Sequence, residues 1–241
     1  MHSQTTPFPY EIVVCDDSPL DNEVKQLCER WNAKHIQLNR HRLHEQQGDA
    51  PVGKPFNEAL KHCRGNIVVL QSGDVEHCGE AVTQLVEAVT PQTFVLAKVT
   101  DRASGHCFCG PLNPKPFFFL GVIHRKHICA VGGYDETFPV GTFTDNWLAD
   151  CLMQGLGLQP VFSDTIIGYH QPHPRPRIRS ELSEAHYENL HAAAELNVGE
   201  WKASHGSWPY VEGKSVAENS VLRRNVSSRI FNASFLSGQR R

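Results

Sequence analysis

Residues 66–76 read NIVVLQSGDVE, an apolar run that leads into a glycine and two carboxylates. An uninterrupted run of aliphatic residues is typical of a strand that is buried on both faces of a sheet. Two similar runs, YEIVVC at 10–15 and TFVLAKV at 93–99, lie on either side of it in the chain. The sequence therefore predicts an α/β domain with a mostly parallel sheet flanked by helices.

The segments between these strands have the residue spacing of amphipathic helices. Residues 21–33 carry apolar side chains three and four positions apart, namely Val24, Leu27, Cys28 and Trp31. Residues 55–63 begin with a proline, which is favoured in the first turn of a helix, and residues 80–89 predict a third helix. In such folds ligands bind at the carboxyl ends of strands, which is where the acidic residues of this chain fall.

The rest of the chain is less regular. Its polar and glycine-rich interruptions predict a loop at 39–50 and a hairpin-like excursion at 101–116. The apolar patterns predict strands at 117–123, 158–162 and 165–169, and helices at 127–131, 145–155 and 181–201.

Composition excludes several classes of protein. The chain has 241 residues, of which 40% are apolar and 20% charged, and its net charge of −3 lacks the basic surplus of a nucleic-acid binder. No apolar run approaches the roughly 20 residues that span a bilayer, and no export signal is recognisable, so we expect a cytoplasmic location. We expect the eight cysteines to be reduced thiols rather than disulfides or a zinc site.

The last part of the chain differs in charge from the rest. Residues 215–241 contain five arginines and a single acid, Glu218, while Leu222, Val226 and Ile230 recur every four residues. A basic amphipathic segment predicts peripheral membrane contact or self-association. The alternative is a frayed or core-capping C-terminal segment.

Several loops that follow predicted strands carry side chains suited to chemistry. Asp16 and Asp17 end the first strand, and Asp74 follows Gly73 after the strand at 66–71. Later come the segment GGYDE at 132–136, then Asp145 in the first turn of a helix, and His170 at a strand end. Carboxylates bind hard divalent cations, and imidazole can complete such a site. Each residue taken alone is equally compatible with a helix cap or a structural role.

The order of these motifs resembles the family 2 glycosyltransferases, which are inverting, nucleotide-sugar-dependent enzymes with the GT-A fold. YEIVVCDDSPLDN is similar to their first strand and nucleotide-binding loop, and GKPFNEALKHCRGNIVVLQSGDVE to their helix, strand and metal-binding turn. GGYDETF, FTDNWLADCLMQGLGLQPVF and IIGYH resemble the acceptor loop, the helix of the catalytic base and the terminal metal-site histidine. The resemblance spans residues 9–173.

The resemblance implies a role for each matching residue. Asp145 would be the catalytic base, and Asp74 and His170 would hold Mn²⁺ or Mg²⁺ on the diphosphate of the donor. The nucleotide-binding residues would be Asp16, Asp17, Lys54 and Asn57. The acceptor-binding residues would be Asp135, Glu136 and Trp147.

The resemblance also implies an activity and a division of the chain. The activity is transfer of a hexosyl group from a UDP-linked donor to a glycan or other hydroxyl acceptor, with inversion, as in polysaccharide biosynthesis. We expect a GT-A-like domain at residues 8–175 and a helical C-terminal extension with a basic tail at residues 176–241.

Two departures from the family favour another hypothesis. Ser72 stands where the metal motif has its earlier acid, with Glu76 as a possible substitute, and only nine residues precede Tyr10 where the family has a further strand and helix. We therefore expect either a fragment, a divergent form or another segment that fills that edge. The alternative function is a non-catalytic or degenerate GT-A-fold protein that binds nucleotides or acts as a scaffold. An unrelated nucleotidyl enzyme would need a glycine-rich phosphate loop, which CDDSPLD at 15–21 does not contain.

Overall fold

The computed structural model describes residues 6–17, 22–38, 53–139, 142–173, 180–196 and 199–218. The strands are β1 (Val13–Asp16), β2 (Lys34–Gln37), β3 (Ile67–Gln71), β4 (Val75–His77), β5 (Thr93–Asp101), β6 (Cys107–Cys109), β7 (Leu120–His124) and β8 (Gln159–His170). The helices are α1 (Glu23–Arg30), α2 (Gly53–His62), α3 (Ala81–Ala88), α4 (Arg125–Val131), α5 (Thr144–Asp150), which continues into a π-helical turn (Cys151–Gly155), and α6 (Ser180–Glu195).

A six-stranded sheet forms the centre of the described structure. Its order is β3-β7-β5-β8-β4, with β6 paired to β5, while β1 and β2 form a separate parallel pair. The predicted α/β class, with helices flanking a sheet, is confirmed. The expectation of mostly parallel pairing is wrong, because among the described strands of the large sheet only β5 and β8 pair in parallel. Apolar runs are typical of parallel strands because both faces of such sheets are covered, and antiparallel strands that are covered on both faces show the same pattern.

The core lies on both faces of this sheet. Along β5, Phe94 and Leu96 pack with the α4 and α5 side, while Val95, Ala97 and Val99 pack with α3 on the other side. This alternation follows from the two-residue period of side chains on a strand. Burial of both faces explains why the strand sequence is apolar throughout.

Several elements differ from their predicted extents. β8 is one strand instead of two, and β2 and β4 were not predicted because their polar residues lack an apolar run. α6 ends at Glu195, so the predicted helical extension is helical only in part, and residues 199–215 return along the core without forming a helix. The predicted loop at 39–50 and the basic tail from residue 219 onward lie outside the described residues. Among the residues that are described, no helix combines the length and apolar character needed to cross a bilayer.

A buried arginine attaches the returning segment to the core. Arg125, at the start of α4, is 1% exposed and donates hydrogen bonds to the carbonyl oxygens of Gly65 (2.7 Å), Lys214 (2.9 Å) and Val211 (3.0 Å). Its guanidinium lies 4.8 Å from the ring centroid of Tyr210. A fully buried cation is tolerated because its donors are satisfied and an aromatic face lies over it.

Two glycines let the same segment approach the end of α4. Gly132 and Gly133 have φ values of +82° and +75°, where a side chain is strained. A Cβ on Gly132 would lie 2.2 Å from the carbonyl oxygen of Gly206, and one on Gly133 would lie 2.4 Å from the Trp208 ring. The glycine pair of the GGYDE motif is therefore required by close packing.

Replacing Arg125 should loosen this attachment. In Arg125→Ala three carbonyl oxygens lose their donor and a large buried side chain is removed, so we expect the free energy of unfolding to fall by about 3 kcal/mol. Urea unfolding of the purified protein measures this. The matched control is Lys126→Ala, which removes a neighbouring but exposed cation and should change stability by no more than about 0.5 kcal/mol. Equal effects of the two variants would contradict the anchoring role.

Candidate functional site

Three side chains converge where β4 pairs with β8. Oδ2 of Asp74 lies 3.2 Å from Nε2 of His170 and 3.1 Å from Nε2 of His173. His170 is 4% exposed, and the rings of Phe108 and Phe119 lie 5.1 Å and 5.7 Å from its ring. We call Asp74, His170 and His173 the cation cluster.

The local backbone explains why the cluster forms. β3 ends at Gln71, and the turn at 72–74 reverses the chain into β4, whose Val75 lies opposite His170 in the antiparallel pairing with β8. The Ser72 N–H donates to the Phe119 carbonyl oxygen (2.9 Å), and the Gln171 N–H donates to the Asp74 carbonyl oxygen (2.8 Å). The carboxylate at 74 is thereby held beside the imidazole that ends β8.

The cluster fits a divalent cation. Neighbouring ligand atoms of one ion, with bonds of about 2.0–2.2 Å, lie about 3 Å apart, and the Asp74 oxygen lies at such a distance from each imidazole nitrogen. All three ligand atoms lie within 4.8 Å of one another. The buried Oδ1 of Asp74 has no hydrogen-bond partner among the described residues, which leaves acceptor capacity for an ion. Two imidazoles and one carboxylate suit transition metals such as Mn²⁺ better than Mg²⁺, which prefers oxygen ligands.

His173 was missed by the sequence reasoning, and Glu76, the possible substitute ligand, is not one of the three clustered side chains. Glu76 is more than half exposed and forms an ion pair with Arg102 at 2.7 Å. The signal that could have found His173 is the spacing His-x-x-His from the end of the predicted strand. A proline and a glutamine between the two histidines concealed it, because they indicate a loop rather than a regular element.

Asp145 lies in the first turn of α5 and is partly buried. Burial raises the pKa of its carboxyl group to about 7, while interactions with the Tyr134 hydroxyl and the Phe118 N–H act in the opposite direction. The Tyr134 hydroxyl is buried and has no partner at hydrogen-bond geometry among the described residues. A carboxyl group with a pKa near neutrality is suited to accept a proton in catalysis.

The predicted nucleotide-binding residues occupy different environments. Asp16 ends β1, and its carboxylate lies 3.4 Å from Nε2 of His35. Asp17 follows directly after this strand, and Lys54 is exposed near the start of α2. Asn57 is fully buried, and its amide bonds to Tyr134 N (2.9 Å), Tyr134 O (2.8 Å) and Glu136 Oε1 (2.8 Å). Asn57 therefore holds the loop after α4 onto α2, and its buried side chain leaves no surface for a donor.

The predicted acceptor-binding residues are also mostly interior. Asp135 is 1% exposed, and burial would raise its pKa, but hydrogen bonds from Ser204 and Thr137 outweigh burial and lower it. Trp147 is 1% exposed and stacks on Trp201 with ring centroids 5.6 Å apart. Both side chains therefore belong to the core in this structure. Glu136 is the exception, because it remains partly exposed beside Lys61.

Comparison with known proteins gives a match in structure but not in sequence. No protein-family model matches the sequence, and no curated protein matches it. Mannosyl-3-phosphoglycerate synthase from Rubrobacter xylanophilus, a GT-A-type glycosyltransferase, superposes with a TM-score of 0.52 over 80% of this chain, at 17% identity. The chain has a GT-A fold.

Further GT-A structures align less closely. Two structures of Drosophila β1,4-galactosyltransferase 7 give TM-scores of 0.41 and 0.40, with 12% and 11% identity over 66% of this chain. One is a complex with xylobiose, and the other is a mutant in complex with manganese, UDP-Gal and xylobiose. The alignment spans 66% of each of the three matched chains, about two thirds of their length.

The GT-A fold brings the cation cluster and Asp145 to the same region through one short segment. Phe118 places its N–H against the Asp145 carboxyl group. The next residue, Phe119, packs its ring against His170 and accepts the hydrogen bond from Ser72 N–H. Adjacent residues of one segment thus contact the candidate base on one side and the candidate cation site on the other.

The raised pKa of Asp145 predicts a pH-dependent stability change. Because the folded-state pKa of about 7 exceeds the ordinary value of 3.8, the native state binds more protons between these values, so its stability falls as the pH rises from about 4 to 7. Asp145→Asn should remove this loss and stabilise the protein by about 1–3 kcal/mol at pH 8, with no such gain below pH 4.

Urea unfolding at pH 4, 6 and 8 measures the effect. Asp164→Asn is the control, because it removes an exposed carboxylate and should show no pH-dependent gain. A gain for Asp145→Asn that is the same at all three pH values would contradict the raised pKa.

Proposed function

We propose that the protein is a metal-assisted glycosyltransferase that moves a sugar from a UDP-linked donor to a hydroxyl group of a glycan or other acceptor, with inversion. The observation that supports this most is that, on a GT-A fold, the adjacent residues Phe118 and Phe119 connect a carboxyl group with a pKa of about 7 to a cluster of two imidazoles and one carboxylate. Inverting transfer requires a base near the attacking hydroxyl and positive charge near the leaving diphosphate.

Asp145 is the proposed general base. Its ionised carboxylate accepts the proton of the acceptor hydroxyl. The hydroxyl oxygen of the acceptor attacks the anomeric carbon of the donor at the same time, and the nucleoside diphosphate leaves. The raised pKa makes the carboxylate a stronger base than an ordinary aspartate. Activity should therefore rise with pH up to about 7 and then level off.

The cation cluster is the proposed metal site. Asp74, His170 and His173 would hold the ion, and a bound divalent cation supplies positive charge that neutralises the diphosphate leaving group. His173 takes the place of the acid that Ser72 does not provide. The substitution also shifts the preference of the site from Mg²⁺ towards Mn²⁺, because imidazole is a softer ligand than carboxylate.

The remaining substrate contacts are proposed from position. Asp16 and Asp17 at the end of β1 would bind the uracil and ribose, and the exposed Lys54 would approach the diphosphate. Glu136 would border the acceptor site. Asn57, Asp135 and Trp147 would support these contacts indirectly, because their side chains are buried and packed in the interior.

The second candidate is a degenerate GT-A-fold protein that binds nucleotides without catalysis, which Ser72 favours. His173 weakens this alternative, because the cluster has three ligand atoms without the missing acid. Release of UDP from a UDP-sugar, in the presence of Mn²⁺ and a panel of acceptors, distinguishes an enzyme from a binding protein.

Removing the base should separate turnover from donor binding. We expect Asp145→Asn to lower transfer by at least about 100-fold, since general-base catalysis contributes about 10²–10⁴. The Kd for the UDP-sugar, measured by calorimetry with Mn²⁺, should remain within about threefold. Asp164→Asn serves as the control for the loss of one carboxylate. Transfer by Asp145→Asn at the rate of the unaltered protein would refute the assignment of the base.

Removing the additional histidine should weaken the metal site. We expect His173→Ala to lower the affinity for Mn²⁺ at least tenfold, measured from the free Mn²⁺ signal in electron paramagnetic resonance, because one of three protein ligands is lost. The unaltered protein should bind Mn²⁺ more tightly than Mg²⁺ in competition. His191→Ala on α6 is the control and should bind normally. Equal affinity of His173→Ala and the unaltered protein would place the metal elsewhere.

A further inference from the structure

A second carboxylate lies behind the buried histidine of the cation cluster. Asp101 ends β5 and is paired with His170 in the parallel register of β5 and β8. Its Oδ2 lies 3.6 Å from Nδ1 of His170, and its side chain is 12% exposed. A shift of about 0.5 Å would bring the two atoms into the normal range of a hydrogen bond. Asp101 therefore faces the ring nitrogen that points away from Asp74.

The orientation of the Asp101 carboxylate is determined by its own loop. Its other oxygen, Oδ1, accepts hydrogen bonds from Ser104 N (2.8 Å), Ser104 Oγ (2.9 Å) and Ala103 N (3.1 Å). The backbone is held as well, because Arg102 N–H donates to the His170 carbonyl oxygen at 3.0 Å. With Oδ1 held in the turn, Oδ2 is directed at the imidazole ring.

The two ring nitrogens of His170 have separate environments. Nε2 faces the Asp74 oxygen at 3.2 Å and belongs to the cation cluster, whereas Nδ1 is buried and has no partner at hydrogen-bond geometry among the described residues. An imidazole nitrogen binds a metal ion only through its lone pair, so the proton of the neutral ring must be on the other nitrogen. An ionised carboxylate can only accept, so Asp101 favours N–H at Nδ1 and Asp74 favours N–H at Nε2. A cation bound by Asp74 and Nε2 excludes the Nε2–H tautomer, and the remaining tautomer has its proton on the nitrogen that faces Asp101.

We propose that Asp101 is a positioning residue that stabilises the tautomer of His170 with the proton on Nδ1, which is the tautomer whose Nε2 can bind a divalent cation. The inference rests on the metal site of the proposed function and extends it to a residue that does not touch the ion. The carboxylate also restrains the rotation of the ring, together with the rings of Phe108 and Phe119.

Two substitutions of Asp101 separate this role from a merely structural one. In Asp101→Asn the amide oxygen remains the acceptor for Ser104 and Ala103, so the amide NH₂ group must face His170. That group donates, and it therefore favours the tautomer with the proton on Nε2, which cannot bind the ion. Asp101→Ala removes the loop hydrogen bonds but leaves the ring free to adopt either tautomer.

The tautomer role and a structural role predict opposite orders of Mn²⁺ affinity for Asp101→Asn and Asp101→Ala. If Asp101 sets the tautomer, the affinity for Mn²⁺ falls about 10–100-fold in Asp101→Asn and less in Asp101→Ala, although Asp101→Ala has the lower melting temperature. If Asp101 only stabilises its loop, Asp101→Ala binds Mn²⁺ more weakly than Asp101→Asn. Glu76→Gln, which removes an exposed carboxylate near the same site, is the control and should bind Mn²⁺ within about twofold of the unaltered protein.

The decisive measurements are Mn²⁺ binding by electron paramagnetic resonance and ¹⁵N NMR of the histidine rings with Zn²⁺ bound. The proposal expects a protonated Nδ1 and an unprotonated Nε2 on His170 of the unaltered protein. It is overturned if Asp101→Asn binds Mn²⁺ normally, if Asp101→Ala is the weaker binder, or if His170 binds Zn²⁺ through Nδ1. Failure of the unaltered protein to bind either ion would overturn both this inference and the metal site, whereas normal binding without glycosyl transfer would overturn only the enzymatic function.

Discussion

The parallel pairing of β5 with β8 is the constraint on which the candidate site depends. These two long strands lie at the centre of the sheet, and their register sets Asp101 opposite His170. β4 adds to the far side of β8, which brings Asp74 to the same imidazole ring. Without this register the carboxylates on either side of His170 would lie on separate loops.

Hydrogen-bond satisfaction distinguishes two groups of buried polar residues. One group has hydrogen-bond partners for its polar atoms, namely Asn57, Asp135 and Arg125. These hydrogen bonds connect segments that are far apart in the chain. By contrast, six buried side-chain atoms lack a hydrogen-bond partner among the described residues, and three of them, Asp74 Oδ1, His170 Nδ1 and the Tyr134 hydroxyl, belong to the candidate site. The other three are His124 Nε2, Thr142 Oγ1 and Trp147 Nε1. Because an unsatisfied buried polar group costs free energy, its retention at a site is more readily explained by a ligand or by catalysis than by stability.

Asp145 shows the same conflict between stability and function. Its burial disfavours the charged form, which lowers the stability of the folded protein as the pH rises from about 4 to 7. The same burial raises the basicity of the carboxylate in the range where proton transfer is useful. Phe143, the residue that precedes α5, has a φ of +64°, a conformation that is costly for a side chain of this size. The backbone conformation at the start of α5 is therefore less favourable than that of an ordinary helix start.

The sequence by itself determined the class of fold and part of the site. Continuous apolar runs identified β3, β5 and β7, because burial on both faces of a sheet demands them, and the order of motifs singled out Asp74, His170 and Asp145. Only the tertiary structure decided the direction of the strands and the contribution of His173. It also decided that three predicted site residues lie in the interior, namely Asn57, Asp135 and Trp147. Residue patterns record whether a side chain is buried, but they do not record which distant residue it meets. The contacts of Asp101 with His170 and of Asp135 with Ser204 join segments far apart in the chain, and only the packed structure brings them together.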